Sequence, residues 1–475
     1  MMSLAKWRLV ASGTVVGAVA VLFGWPSEGN SSDVFEVPPQ NILVNAPSTD
    51  QFPYITQMEP TIAIFGSNVV IAWNDSGHSA QVRFGTGFGL GWGYSTDGGA
   101  SFVDGGGLDG TTWGADPTLA VDRSGHFYFG RFAPLANYSG VTVYKSADHG
   151  VSFQRTVQPF GLGGISDKPF VTTDATGGQF DGHVYLTWTS AISNVLTIVL
   201  SRSTDGGTTF SRPIPVSPRH FPNNQAAMPA VGPDGELFVS WLRQDTDEIY
   251  VSRSTDGGLS FEPERRVASG DRPGSRSICP QTTRSGLNGN IRASNAPIIA
   301  VDRSEGASRG NVYLVFSADP DGPGPDMADA FLVRSRDSGA SWSEPIRLND
   351  DKTSNDQWLP FVTVAPNGAL GVAWYDRRAD EQNLLMDVYM TVSTDGGSSF
   401  SRNFRITDVS FPVPDLFPEN FDPRAASACY MGSYNFMVAD DSQFYLAWTD
   451  NRLVASGKPD PNIFFAKIPV PAVRP

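Results

Sequence analysis

At 475 residues the chain is longer than a single hydrophobic core usually grows, so it divides into domains or is built of units that each pack on their neighbours. Its 49 Gly, 35 Pro, 11% aromatic and 17% charged residues suit a turn-rich all-β chain better than long surface helices. The net charge of −15 argues against nucleic acid and anionic membrane surfaces as partners.

At the N-terminus Lys6 and Arg8 precede an apolar run over 9–25. A positive n-region followed by an h-region marks residues 1–29 as a signal peptide or, since Ser27-x-Gly29 is a weak cleavage site, an N-terminal membrane anchor. The folded part is then expected to be secreted, periplasmic or held at the outer side of the cell membrane, with membrane contact only through this segment. A polar linker covers 30–40, and 41–45 (NILVN) reads as a short strand.

From there one pattern governs the chain. STDGGASF at 95–102 returns as SADHGVSF at 146–153, STDGGTTF at 203–210, STDGGLSF at 254–261, SRDSGASW at 335–342 and STDGGSSF at 393–400. A repeat decides the architecture before any single element does. Each Asp (Asp97, Asp148, Asp205, Asp256, Asp337, Asp395) is placed to accept amide bonds of its own tight turn, each Gly permits a positive φ, and each aromatic packs as the chain re-enters the sheet. Before each turn lie apolar runs. Pro60, Pro117, Pro169, Pro229, Pro297 and Pro360 open first strands; second strands end at Trp73, Trp188, Trp241, Phe316 and Trp374, with Arg131 in the Trp position of the second unit. Near-continuous apolarity fits strands covered on both faces. A seventh unit, ending at 463–468, lacks both the turn motif and a fourth strand. The spare strand 41–45 is expected to complete it and close the ring. The expected fold is therefore all-β: one seven-bladed β-propeller of four-stranded antiparallel blades over 41–470, with a tail at 471–475.

The repeated turn is the Asp box (BNR repeat), and the chain resembles the sialidase-like Asp-box β-propeller superfamily over nearly all of its length after the N-terminus. The resemblance implies an exported protein that binds, and in an enzyme hydrolyses, a glycan in the central pocket of the face opposite the boxes. A sialidase-like glycosidase or a polysaccharide lyase is the enzyme class it suggests. The alternative is a non-catalytic cell-surface scaffold that docks a protein partner through loops of that face. The family places a three-arginine cluster on the substrate carboxylate, an Asp acid early in the chain, and a Tyr nucleophile backed by Glu; Tyr departs from the usual pair of glycosidase carboxylates. Carried onto this chain, Asp75 is the acid, Tyr430 or Tyr434 the nucleophile, Glu248 the nearest Glu candidate, and Arg378, Arg452 and Arg292 the arginines. The family's N-terminal Arg-Ile-Pro element is missing; Glu59-Pro60 and residues 41–47 stand in its place.

Other residues offer chemistry by their own spacing. Trp-x-Asp-x-Arg occurs twice, as Trp374, Asp376, Arg378 and as Trp448, Asp450, Arg452, and Trp73-Asn74-Asp75 is a partial third copy. Asp and Arg at a pocket rim could clamp hydroxyls or a carboxylate, or could brace their own loop. Asp319, Asp321 and Asp326 in DPDGPGPDMAD make a weak Ca²⁺ candidate against a solvated acidic loop; no other metal or cofactor is expected, since the five histidines have no ligand spacing. Cys279 and Cys429 are expected to pair as a disulfide across the two longest insertions.

Overall fold

The computed structural model describes residues 37–473 apart from 50–55, 78–88, 109–113, 135–138, 158–159, 163, 165, 193–194, 219, 221, 270, 276–284, 323, 414–429 and 456. The N-terminal segment 1–29 and both cysteines of the expected disulfide, Cys279 and Cys429, lie outside the described residues.

Seven four-stranded antiparallel sheets follow one another along the chain. Blade 1 shows the plan: Gln57–Phe65 innermost, then Asn68–Asp75, Gly89–Ser95 and Val103–Gly107. The innermost strands of blades 2 to 7 are Ala115–Val121, Ser166–Thr173, Asn224–Val231, Ile298–Val301, Gln357–Val364 and Phe436–Ala439. Each touches the next, and the last touches the first, so the ring is closed. Closure is made as the repeat count requires. Ile42–Leu43 pairs antiparallel with Lys458–Pro469, Ile42 opposite Phe465 and Leu43 opposite Phe464. The paired stretch is shorter than 41–45, and side chains extend it: the Asn45 amide group donates to Asn462 Oδ1 at 2.7 Å, while Asn45 Oδ1 accepts from the Ile463 amide at 2.9 Å.

The blades pack through large side chains of their second strands. Trp73, Trp188, Trp241, Trp374 and Trp448 are fully buried. Indole N–H groups need an acceptor when buried. Trp73, Trp374 and Trp448 find one in the carboxylate two residues on: Asp75 at 3.0 Å, Asp376 at 2.8 Å and Asp450 at 3.0 Å. In blades 3 and 4 that position holds Ser190 and Arg243, and the Trp188 and Trp241 Nε1 atoms have no hydrogen-bond partner among the described residues.

Each Asp-box turn closes on itself. In the third, Ser203 Oγ donates to Asp205 Oδ1 at 2.7 Å and accepts from the Gly207 amide at 2.8 Å. Asp205 also accepts from the Thr209 amide at 2.9 Å and the Thr209 hydroxyl at 2.6 Å. Gly207 has φ +82°, and a Cβ there would lie 2.7 Å from the Tyr128 ring of the preceding blade. The turn thus needs glycine for its backbone and for the close approach of two blades. A second link was not read from the pattern. The basic residue just before the box Ser reaches the following blade's turn: Lys145 Nζ donates to Gly206 O at 3.0 Å, Arg202 to Gly257 O at 2.7 Å, Arg253 to Ser338 O at 3.1 Å and Arg334 to Gly396 O at 2.8 Å.

These turns carry two predictions. Asp205→Ala should cost about 1 kcal/mol, at the low end for unmade hydrogen bonds because the turn faces solvent, read as a shift in denaturation midpoint at unchanged slope. Burial acts to raise the Asp205 pKa but is outweighed by the Thr209 and Ser203 hydrogen bonds, which bring it down to about 2. A depressed carboxylate stabilises the fold above the unfolded value near 4 and loses that contribution as pH falls toward 2. The Asp205→Ala deficit should therefore shrink in that window. In the fifth turn Ser338 occupies the left-handed region at φ +52°, where a side chain is strained. Ser338→Gly should raise stability by roughly 0.5–1 kcal/mol; an unchanged or lower melting temperature would contradict the assignment of strain.

Candidate active site

At the end of the ring away from the Asp boxes, five innermost strands slip register at the same point. The slips fall between Met58 and Thr61, Ala115 and Thr118, Asp167 and Phe170, Gln225 and Met228, and Trp358 and Phe361. The bulged residues Glu59, Asp116, Lys168, Ala226 and Leu359 have φ of 56°, 56°, 48°, 60° and 51°. All but Ala226 precede a Pro, whose missing N–H suits an unpaired bulge position. A left-handed non-glycine residue is costly, and before Pro it runs against the usual extended preference. Bulges of this kind re-aim side chains next to functional sites.

In blades 1 to 3 the re-aimed residues are all charged, and they meet. Glu59 is fully buried. Its Oε1 accepts from the Ser433 amide at 2.8 Å and lies 3.7 Å from Lys168 Nζ, and its Oε2 accepts from Asn74 Nδ2 at 2.7 Å. The Tyr430 hydroxyl donates to Oε1. Asp116 Oδ2 accepts from the Lys168 amide at 3.0 Å, and the Asp116 amide donates to Asn74 Oδ1 at 2.9 Å. The segment Tyr430–Met431–Gly432–Ser433 wraps the Glu59 carboxylate. Only glycine fits at its centre: Gly432 has φ +106°, and a Cβ there would stand 2.9 Å from Glu59 Cγ. Arg292, on the short hairpin of Gly286–Leu287 and Ile291–Arg292, lies with its guanidinium carbon 4.8 Å from the centroid of the Tyr430 ring.

Electrostatics separates the two carboxyl groups. Burial alone would raise Glu59, but the Lys168 ammonium, the Tyr430 hydroxyl, the Ser433 amide and a hydrogen bond with Asp116 together hold it below the usual carboxylate value. Burial pushes Asp116 well up against the pull of Lys168, and the charges of Glu59 and Asp167 push it further. The same surroundings thus favour the ionised form of Glu59 and the protonated form of Asp116. Burial and the Glu59 charge raise Tyr430 well above an ordinary phenol, with Arg292 opposing, so at rest the phenol keeps its proton and donates it to Glu59. Paired groups pushed apart in this way mark an acid and a base.

The residues expected from sequence are distributed as follows. Tyr430 and Arg292 belong to the cluster. Tyr434 borders it, but its hydroxyl is 3.3 Å from the Pro117 carbonyl oxygen, its ring packs on Phe170 and Lys168 lies over it. Asp75 accepts from the Trp73 indole and from the Gly77 amide at 2.8 Å, bracing its own loop. Glu248 is not the partner of the tyrosine: it is engaged on the outer part of blade 4 by Tyr250 at 3.0 Å, Thr246 at 2.9 Å and Arg266 at 3.2 Å, and Glu59 takes that place. Arg378 is held by Asp376 at 2.7 Å and Asp350 at 2.7 Å over the Tyr389 ring. Arg452 is held by Asp450 at 2.7 Å and by Asp408 over the Phe464 ring. Both motifs brace their loops in this structure, with Asp376 and Asp450 fully buried. Asp326 is pushed up to about 7 by burial and the nearby Asp329 and Asp356 charges. Asp319 also lies above the usual carboxylate value, through burial and the neighbouring carboxylates that include Asp321. Among the described residues no three His, Cys, Asp or Glu side chains are grouped to hold a metal ion. Glu59, Asp116, Lys168 and Asn74 were missed. For Glu59, Asp116 and Lys168 the signal was a charged residue directly before the strand-opening Pro in three consecutive blades; Asn74 had none beyond its place after Trp73.

The fold and this cluster define the class: a seven-bladed β-propeller with a buried cluster of charged side chains on its innermost strands. No family model and no curated protein matches the sequence. Among solved structures it is similar to the α-L-arabinofuranosidase Arb93A of Fusarium graminearum in complex with an iminosugar inhibitor (11% identity, 92% of this chain and 99% of that one, TM-score 0.48). It is also similar to the intramolecular trans-sialidase of Ruminococcus gnavus in complex with oseltamivir carboxylate (12%, 90% and 99%, TM-score 0.42), and to an uncharacterised protein of Dyadobacter fermentans (15%, 72% and 94%, TM-score 0.45). At these identities and scores none of them transfers a substrate or a reaction to this chain.

Proposed function

We propose that the chain is an exported glycoside hydrolase that binds a glycan at the Glu59–Tyr430 cluster and cleaves it through a tyrosine nucleophile. The observation that carries this reading is the Tyr430 hydroxyl donating to the fully buried Glu59 carboxylate, with the Arg292 guanidinium over the Tyr430 ring. A phenol is a poor nucleophile until a base takes its proton, and Glu59 is held ionised for that task. In the first step Glu59 accepts the phenol proton, Tyr430 Oη bonds to the anomeric carbon, and the bond from that carbon to the leaving oxygen breaks. Asp116, whose protonated form burial favours, gives its proton to that oxygen. In the second step the Asp116 carboxylate takes a proton from water, the hydroxide displaces Tyr430 from the anomeric carbon, and Glu59 returns the phenol proton. Arg292 stabilises the phenolate by its charge over the ring. Asp376, Arg378, Asp450 and Arg452 shape the rim as braced loops, a role that leaves sugar contacts to the cluster. Export rests on the segment 1–29.

The test is a turnover screen of aryl glycosides, covering neutral and acidic sugars in both anomeric forms, with the wild type and Glu59→Gln. Turnover by the wild type should fall about 10²- to 10⁴-fold in the variant. Turnover that survives Glu59→Gln in a folded protein would place the chemistry elsewhere. The rival reading, a scaffold docking a protein partner, would use the long insertions 270–294 and 412–429, much of which lies outside the described residues; a wild type that binds a surface protein and turns over no glycoside would favour it.

A further inference from the structure

Asn74 stands at a junction that the reaction scheme above does not use. It is buried at the end of strand Asn68–Asp75, one residue after Trp73. Its two ends serve different blades. Nδ2 donates to Glu59 Oε2 at 2.7 Å within blade 1, and Oδ1 accepts from the Asp116 amide of blade 2 at 2.9 Å. Both partners are bulge residues with left-handed φ, and the ladder leaves the bulge amide unpaired.

The same structural need is met elsewhere by a simpler group. In blade 5 the residue after Phe316 is Ser317, and its hydroxyl accepts from the Leu359 bulge amide of blade 6 at 3.0 Å. A single oxygen acceptor therefore suffices to join one blade to the next bulge. Asn74 supplies that acceptor and adds a donor, and the donor goes to the carboxylate that faces Tyr430.

We propose that Asn74 is a positioning residue for the reaction: its carboxamide holds Glu59 with Oε1 turned to the Tyr430 hydroxyl and, through the Asp116 amide, keeps the base of blade 1 in register with the acid of blade 2. The inference rests on the reading of Glu59 as base and Asp116 as acid. A carboxylate has two oxygens and one rotatable bond to orient them. Ser433, Tyr430 and Lys168 all address Oε1, while Asn74 donates to Oε2; the Asp116 carboxyl is the remaining side-chain partner of Glu59. Without that donor the Oε2 end loses its hydrogen bond from blade 1, leaving the carboxylate held mainly through Oε1, and one hydrogen bond to its ionised form is lost. The other groups that face it are Lys168 of blade 3, Asp116 of blade 2, and Tyr430 and Tyr434 of the approach to blade 7, with Arg292 behind Tyr430.

Asn74→Ser, which copies the Ser317 arrangement, keeps an oxygen acceptor for the Asp116 amide and takes away the carboxamide NH₂ group that reaches Glu59 Oε2. Against the aryl glycoside the wild type turns over, kcat should fall about 10- to 100-fold with KM little changed, and the acid limb of the kcat/KM profile should move to higher pH. A purely structural role would lower the melting temperature and leave the acid limb in place, and that result would overturn the proposal. A second readout needs no substrate: the Glu59 carboxyl carbon, assigned by its loss in Glu59→Gln, is titrated by ¹³C NMR in the full protein. An upward shift of its midpoint in Asn74→Ser supports the proposal even if no glycoside is cleaved. An unmoved midpoint sinks it even if the glycosidase reading holds.

Discussion

Tyr430→Phe should lower kcat by about 10³-fold or more while leaving substrate binding within a few-fold of wild type. The substitution removes one oxygen, the atom that attacks in the proposed step, and keeps the ring under Arg292. It also takes a donor from a fully buried carboxylate, so stability at neutral pH should fall by about 1–3 kcal/mol. The sign with pH follows from Glu59. Its folded pKa lies below the ordinary value because Lys168, Tyr430 and Ser433 together outweigh burial. The stabilisation it brings is complete above the unfolded value near 4.3 and fades as pH falls through the folded one, so the stability gap between Tyr430→Phe and wild type should narrow on acidification. Tyr434→Phe is the control. Among the described residues its hydroxyl lies against the Pro117 carbonyl oxygen at 3.3 Å, away from the Glu59 carboxylate oxygens that Tyr430 meets, and kcat should stay within about tenfold of wild type. Equal losses in the two variants, read from initial rates, would remove the distinction drawn between the tyrosines.

Deleting residues 41–45 should open the ring. The segment is the fourth strand of blade 7, but its attachments reach further. Val44 is buried and packs in the cluster of Trp73, Ile463 and Phe465, between blades 1 and 7. Asn41 donates to the Ile406 carbonyl oxygen at 3.0 Å and accepts from Arg452 at 2.9 Å and from the Asp408 amide at 3.1 Å, tying blades 6 and 7. Losing one buried Val and about five buried or partly buried hydrogen bonds costs on the order of 5 kcal/mol or more, a large share of a typical domain's 5–15 kcal/mol. The strand Lys458–Pro469 would also present an unpaired edge, a template for association. The deletion variant should melt far earlier and aggregate, as seen by calorimetry and light scattering. A monomer with an unchanged melting temperature would contradict closure by this strand.

The architecture was legible because its determinants are local and repeated. Ser203, Asp205 and Gly207 satisfy one another within five residues, so the turn can be read wherever its letters recur, and a missing fourth strand in the last unit points to the spare one at the start. The inter-blade links from Lys145, Arg202, Arg253 and Arg334 were equally local in sequence but join different turns, which a repeat read one unit at a time does not show. The site was legible only at Tyr430 and Arg292. The partner of Tyr430 is 371 residues away, brought there by ring closure, and Glu59 was read as a gap in an expected motif rather than as a carboxylate. Asp116 and Lys168 take their places through a bulge whose left-handed φ no residue preference before Pro would suggest. The Trp-x-Asp-x-Arg motifs were visible, but what occupies their arginines, Asp350 and Asp408, lies outside the motif.

The most direct measurement is to trap the covalent intermediate. A fluorinated glycoside with a good leaving group, matched to the substrate found in the screen, slows the second step and lets the glycosyl-enzyme accumulate; peptide mass spectrometry then locates the label. A single adduct is expected on the peptide containing Tyr430, absent in Tyr430→Phe and greatly slowed in Glu59→Gln. Label on a carboxylate such as Asp116 or Asp75, or on Tyr434, or an adduct that forms equally in Tyr430→Phe, would contradict that expectation.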